Sequence, residues 1–384
     1  MLRTKEGARV IGEMAANCKP QVVACYPITP TTHLTEELNK YYTDGKIPEY
    51  ITVEAEFSAI SALIGASAAG SRTFTTTGGQ GLLYMHEPLF SAAGMRLPIV
   101  MLVGNRAVSS PLNIWNDEQD SISQRDTGWI QIYCKNNQEA VDTIPQAFYV
   151  AEKILLPVMV CVDGHYLTHA VEQVDVADES VVAKFLPEYK YPLKLDPQNP
   201  VSLGVYANPT HYQIFRQDLV SDMEAAKELL IEAGKKWGEL TGREYGLIRE
   251  YKTKDAKRII VGLGSVMDNV ITVVDELRAQ GEKVGALHLR VYRPFPHEEL
   301  RKALAGKQIG VIDRDISIGG SAPVYVEVSE ALSGTKGTKV SSFYGGLGGR
   351  GIKRNHIKEM FEKLKKGPVK EWIAKEAPKA AMSG

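Results

Sequence analysis

Gln21-Val-Val-Ala-Cys25 runs directly into Tyr26-Pro27-Ile28-Thr29-Pro30-Thr31-Thr32, and the reading of this stretch decides the fold. An uncharged, Val-rich run of strand length predicts a strand buried on both faces, as in a parallel sheet. The two prolines that follow fix φ and withdraw amide donors, so the chain leaves the ladder in a stiff loop. Open α/β sheets bind ligands just beyond the carboxyl ends of their strands, which is where this loop stands. Thr31 and Thr32 are accounted for as caps of a helix starting near Leu34. Thr29, held between two prolines, is the better candidate for contact with a ligand.

Working outward, comparable runs occur at residues 50–53, 72–76, 98–103, 129–133 and 157–162. They alternate with helical patterns such as 55–69, where Ala59, Ile60, Leu63 and Ile64 share a face. Residues 1–175 therefore read as a doubly wound α/β domain with a parallel sheet. Residues 176–255 read as an extended, Pro- and Tyr-rich connection followed by a charged helix over about 219–251, broken near Gly242 and taken as a solvated spacer. Residues 256–384 read as a second, smaller α/β domain with strands beginning at Arg258 and at 283–291, 309–312 and 339–343. The Lys- and Ala-rich tail after Gly367 is expected to fray or to dock on a partner.

Composition narrows the function classes. Lys and Arg number 45 against 46 Asp and Glu, so no net field favours nucleic acid or an anionic membrane. No uncharged apolar run reaches the ~20 residues that span a bilayer. The N-terminus lacks the apolar core of a secretory signal, so a cytoplasmic location is expected. Cys18, Cys25, Cys134 and Cys161 are scattered, without the close pairing of a zinc site, a redox pair or an iron–sulfur cluster. They read as core cysteines, and no metal ligands are assigned to this chain.

Two further strand ends carry chemistry. Val53-Glu54-Ala55-Glu56 places carboxylates at a strand-to-helix junction. Glu56 is explained as an acid in a helix's first turn. Glu54 ends an apolar strand and is expected to be partly desolvated, a state in which a carboxylate needs a partner for its charge or proton. Capping and function explain it equally. Val103-Gly104-Asn105-Arg106 sets an arginine at the sheet's carboxyl edge, placed to hold a carboxylate by a bidentate fork or else to form a surface ion pair.

These segments, with Gly65-Ala-Ser-Ala-Ala-Gly-Ser-Arg-Thr-Phe-Thr-Thr-Thr-Gly-Gly-Gln-Gly81 and Asp120-Ser-Ile-Ser-Gln-Arg-Asp-Thr-Gly-Trp129, resemble the alpha subunits of pyruvate:ferredoxin oxidoreductases, in the 2-oxoacid:ferredoxin oxidoreductase family. The resemblance implies that the first domain binds the pyrimidine end of thiamine diphosphate and that the second is similar to the transketolase C-terminal domain. It implies a catalytic Glu54 at the pyrimidine N1′, substrate contacts from Thr29 and Arg106, and cofactor contacts from Pro27, Glu54 and Arg106. It further implies oxidative decarboxylation of pyruvate with coenzyme A to acetyl-CoA and carbon dioxide, reversibly, with reduction of ferredoxin. Many relatives carry Ser where Gly78 and Gly79 stand, and an acid where Gly351 stands.

What the chain lacks points to partners. No Gly-Asp-Gly followed by Asn-Asn is present to hold magnesium and pyrophosphate, and Asp163-Gly164 lacks the first glycine. The resemblance therefore implies a beta subunit sharing the thiamine diphosphate and supplying Mg2+, with gamma and delta subunits and 4Fe-4S clusters on partner chains. Gly346-Leu-Gly348-Gly-Arg-Gly351 matches the dinucleotide fingerprint after a strand. It is read as a packing turn, because the 33 residues after it offer a helix with no clear second strand or ribose-binding acid. Rival readings are a paralogue for branched-chain or other 2-oxoacids and a non-catalytic structural subunit.

Overall fold

The computed structural model describes residues 2–375. The chain forms two compact units, Met1–Arg249 with Leu289–Pro296, and Glu250–His288 with His297–Gly384. Of the tail after Gly367, residues 376–384 lie outside the described residues, whereas Lys370–Trp372 is a strand.

The first unit is built on a seven-stranded sheet in the order Val291–Arg293, Ile130–Tyr133, Val158–Asp163, Val100–Asn105, Thr73–Thr77, Val22–Cys25, Glu49–Thr52. Its neighbours run parallel except Val291–Arg293, which is antiparallel to Ile130–Tyr133. The central strands Val100–Asn105 and Val158–Asp163 are buried throughout, because helices cover both faces. Strand order reverses at Val22–Cys25: the next strand in sequence lies on one side of it and the following one, Thr73–Thr77, on the other. Between Val22–Cys25 and Thr73–Thr77, ladder pairing is confined to Val22 with Thr73 and Val23 with Phe74. The carboxyl ends beyond it are the switch point at which such sheets bind ligands.

Two elements differ from their sequence reading. Asn208-Pro209 does not extend the connection; it starts the helix Pro209–Thr241, with the Asn208 side chain accepting from the His211 amide at 3.1 Å and Pro209 in the first turn. Nor is that helix a solvated spacer. Leu219, Ala226, Leu230, Ala233 and Trp237 form a buried stripe that packs in the core of the first unit. Burying Leu219 and Leu230 contributes about 1.5–3 kcal/mol each. Gly242, at φ +77°, ends the helix.

A two-stranded antiparallel ribbon, Leu2–Glu6 with Val171–Asp175, is a further element of this unit. The second unit has a six-stranded sheet in the order Lys370–Trp372, Lys339–Tyr344, Gln308–Asp313, Arg258–Gly262, Val284–Leu289, Ile248–Tyr251. The stretch expected as one strand over 283–291 breaks at the buried Arg290, so that Val291–Arg293 joins the first sheet instead. Among the described residues, no helix is long and apolar enough to cross a membrane.

Candidate functional site

The loop after Val22–Cys25 is fixed by glycines on two other strand ends. A Cβ at Gly104 would come within 3.0 Å of Pro30 Cγ and 2.7 Å of Thr31 Cγ2, and one at Gly164 within 2.5 Å of Pro30 Cγ. Pro30 is therefore buried against bare backbone, while Pro27 and Thr29 remain exposed at the sheet edge. Thr31 precedes the helix Thr32–Thr43 but does not cap it; its hydroxyl turns back to the Ile28 carbonyl at 3.1 Å.

Arg106 follows Val100–Asn105 and is buried. Its guanidinium donates from Nη1 to the Thr29 carbonyl and from Nε to the Asn113 carbonyl, both at 3.1 Å. Those partners are neutral, so they orient the cation without cancelling its charge, and the alternative of a surface ion pair loses its basis. Gly79, at φ +56°, makes room for it: a Cβ there would sit 2.9 Å from Arg106 Cδ. The structure thus brings Thr29 and Arg106 together and explains the departure at Gly79.

Asp120 ties these segments together. Its carboxylate accepts from the amides of Gly79 at 2.7 Å and Arg106 at 2.9 Å and from Asn105 Nδ2 at 2.8 Å. Complete burial pushes the carboxyl up to about 7, against the opposing pull of those donors. Asn105 Nδ2 also lies at hydrogen-bond distance from the Ser121 hydroxyl, which in turn meets the Tyr133 hydroxyl at 2.7 Å. Sequence reasoning missed this role. Nothing local distinguishes Asp120 from Asp117 and Glu118 beside it.

The carboxylate expectation is corrected by burial. Glu54 is exposed, and the Ser58 hydroxyl donates to its Oε1 at 2.5 Å, which holds its carboxyl below the ordinary range. The reason is that Glu49–Thr52 is an edge strand with mostly exposed side chains, so its end is not desolvated. Glu56 is the buried acid of the pair, 7% exposed, at the start of the helix Glu56–Ala68. A Cβ at Gly81 would lie 2.4 Å from Glu56 Oε1 and 2.6 Å from Thr77 Oγ1. Only glycine leaves that space to the two oxygens.

The Thr77 hydroxyl on that space is buried without a hydrogen-bond partner, as are both amide atoms of Gln80, the residue before Gly81 in sequence. A buried carboxylate beside an unused hydroxyl and an unused carboxamide is a donor–acceptor set that fits the polar edge of an aminopyrimidine. Asp163 and Gly164 do not fit a magnesium pyrophosphate. Asp163 is 2% exposed, and a Cβ at Gly164 would meet the Asn105 carbonyl at 2.3 Å, so this turn is packed shut.

In the second unit, Gly346, Gly348 and Gly349 all have positive φ, and a Cβ at Gly346 would meet Ile352 Cδ1 at 3.0 Å. The expectation that no second strand follows is overturned. The helix Arg354–Lys366 leads into Lys370–Trp372, which pairs in parallel with Lys339–Tyr344. The strand's acid, Glu371, lies 2.5 Å from Lys363. The loop remains a packing turn.

Comparison with known proteins falls along the same division. The family described as pyruvate flavodoxin/ferredoxin oxidoreductase, thiamine diP-bdg matches residues 13–235, and pyruvate:ferredoxin oxidoreductase core domain II matches residues 256–357. The pyruvate synthase subunit PorA of Methanothermobacter thermautotrophicus is 44% identical over 94% of each chain. That of Pyrococcus horikoshii is 46% identical over 97% of each. The ketoisovalerate oxidoreductase subunit VorA of Pyrococcus horikoshii is 42% identical over 92% of this chain and 91% of its own. Among solved structures, the 2-oxoglutarate:ferredoxin oxidoreductase of Magnetococcus marinus superposes with a TM-score of 0.70 at 17% identity over 95% of this chain, which spans 65% of that longer one. A split-gene transketolase shares the fold at a TM-score of 0.54 and 11% identity, over 95% of this chain and 98% of its own.

Proposed function

The chain belongs to the pyruvate:ferredoxin oxidoreductase family, and from that premise we propose that it is the alpha-type subunit of a pyruvate synthase whose substrate contacts are Thr29 and Arg106 and whose cofactor carboxylate is Glu56. The reaction is the oxidative decarboxylation of pyruvate with coenzyme A to acetyl-CoA and carbon dioxide, with ferredoxin as electron acceptor, and its reverse. Thiamine diphosphate, when bound, supplies the carbanion chemistry at its thiazolium C2.

This chain's own residues bind, orient and move protons around it. Glu56 would hold the proton at the pyrimidine N1′, being the buried acid that faces the space beside Gly81. Thr77 and Gln80 would take the remaining polar atoms of the ring edge. Arg106, already bonded to two carbonyls, keeps donors for the carboxylate of a 2-oxoacid, and the exposed Thr29, whose carbonyl it holds, is the second candidate contact. Pro27 would form the apolar lip of the loop. The observation that carries the reading is the burial of Glu56 beside partnerless Thr77 and Gln80 at the strand switch point.

The site is half of what the cofactor needs, and the other half is assigned to a beta chain holding pyrophosphate and Mg2+. Gamma and delta chains complete the complex, with iron–sulfur clusters assigned outside this chain, whose four cysteines are buried free thiols. Two measurements test this. Calorimetric titration of the isolated chain with thiamine diphosphate and Mg2+ should show weak or no binding, and tight magnesium-dependent binding would end the split-site reading. Viologen reduction by the assembled complex should be fastest with pyruvate. Preference for 2-ketoisovalerate would move the chain to the branched-chain reading that the VorA likeness represents.

A further inference from the structure

Outside the strand-end site, one group of side chains has the composition of a metal centre. Glu6 ends the strand Leu2–Glu6, His33 lies in the first turn of Thr32–Thr43, and His169 lies in the turns after Val158–Asp163. One ligand atom from each of the three lies within 4.8 Å of the others. Glu6 Oε1 is 2.6 Å from His33 Nδ1. The Thr168 hydroxyl is 2.8 Å from His169 Nδ1, which leaves Nε2 as the outward-facing nitrogen. A hydroxyl on the remote nitrogen is the device that fixes the orientation and tautomer of metal-bound imidazoles. Behind it, the His165 ring packs at a tilt against His169 with ring centroids 5.0 Å apart and meets Trp115 edge-on at 4.2 Å. Arg9 Nε lies 3.5 Å from the other carboxylate oxygen of Glu6, Oε2, so the oxygen that faces His33 is not the one the guanidinium takes.

We propose that Glu6, His33 and His169 bind one divalent transition-metal ion of the zinc class, with the remaining coordination position open to water. Two imidazoles and one carboxylate suit Zn2+, Co2+ or Ni2+, whereas Mg2+ and Ca2+ demand shells of oxygen. The buried cysteines of this unit are withdrawn from competition for the ion. The three ligands come from the N-terminal ribbon, the helix that follows the Thr29 loop, and the turn whose Gly164 rests on Pro30. The ion would clamp that loop from its outer side.

The test uses the full, tag-free chain stripped with a chelator. Titration with Co2+, read by its d–d absorption, and with Zn2+, read by calorimetry, should give one ion per chain, and Mg2+ at the same concentration none. Thr168→Ala should weaken binding by about 10- to 100-fold through loss of the orienting hydroxyl. His33→Ala and His169→Ala should each weaken it more, with circular dichroism confirming that the variants fold. Binding of undiminished affinity in His33→Ala would place the ion elsewhere. Absence of a Co2+ spectrum in the wild-type chain would remove the site.

Discussion

The guanidinium of Arg106 reaches back 77 residues to Thr29, donating from Nη1 to its carbonyl oxygen at 3.1 Å. With Nε spent on Asn113, one side chain holds the loops that leave two different strands. A lysine keeps the charge but not the planar fork. Arg106→Lys is expected to lower kcat/KM for pyruvate by about 10- to 100-fold, mainly through KM, with cofactor affinity little changed. Steady-state kinetics of the assembled complex measure this, and an unchanged KM would confine Arg106 to shaping the loop.

Two acids two residues apart, Glu54 and Glu56, separate burial from sequence position. Glu56→Gln should slow the reaction by about 10²–10⁴, as expected for loss of a positioned proton carrier, while Glu54→Gln should stay near wild type. Hydrogen–deuterium exchange at the cofactor C2, followed by quenched NMR on the assembled enzyme, reads the step directly. The reverse pattern would return the role to Glu54 and imply that a partner chain buries it.

Gly81→Ala sets two effects against each other. Within a helix, Ala is favoured over Gly by up to ~1 kcal/mol, so stability alone predicts no harm. The added methyl would nevertheless lie 2.4 Å from Glu56 Oε1. The expected outcome is a chain whose stability in urea is at best equal to wild type, the helical gain being offset by overpacking, and whose assembled complex binds thiamine diphosphate more weakly. Unaltered cofactor affinity would show that the space beside Gly81 is not part of the site.

Asp120 should make stability depend on pH in a defined direction. Its folded-state value of about 7 stands above the ordinary 3.8, so the folded chain keeps a proton that the unfolded chain has released. The resulting contribution is complete below pH ~4, falls as pH rises and is exhausted above pH ~7. Asp120→Asn cannot titrate. Raising the pH from 5 to 8 should therefore destabilise wild type relative to this variant by on the order of 2–3 kcal/mol in urea unfolding. A difference that does not change with pH would mean that Asp120 is ionised throughout.

Much of the first sheet was legible because strands buried on both faces leave continuous uncharged runs, and the observed bounds fall within two residues of those read at Val22–Cys25, Val100–Asn105 and Val158–Asp163. The ribbon of Leu2–Glu6 with Val171–Asp175 was not legible. Both segments carry charges, and the pairing of Leu2 with Asp175 joins distant parts of the chain. Lys370–Trp372 was missed for a similar reason, being a short strand with exposed side chains at a sheet edge. Among the candidate residues, Thr29 and Arg106 could be picked out as strand-end residues, and the fold brings them together. The difference in burial between Glu54 and Glu56 could not, since it turns on an edge strand's exposure, and Asp120 acts through amides that the fold brings to it.

The four cysteines are all buried in the first unit, and desolvation raises each thiol, Cys25 to about 12. Oxidants and alkylating reagents attack the thiolate, which is scarce at every one of these positions. Air should therefore leave this polypeptide chemically intact. If the assembled enzyme loses activity under oxygen, fresh anaerobic partner chains added to an air-exposed sample of this one should restore it, and the damage will be found where the electrons leave.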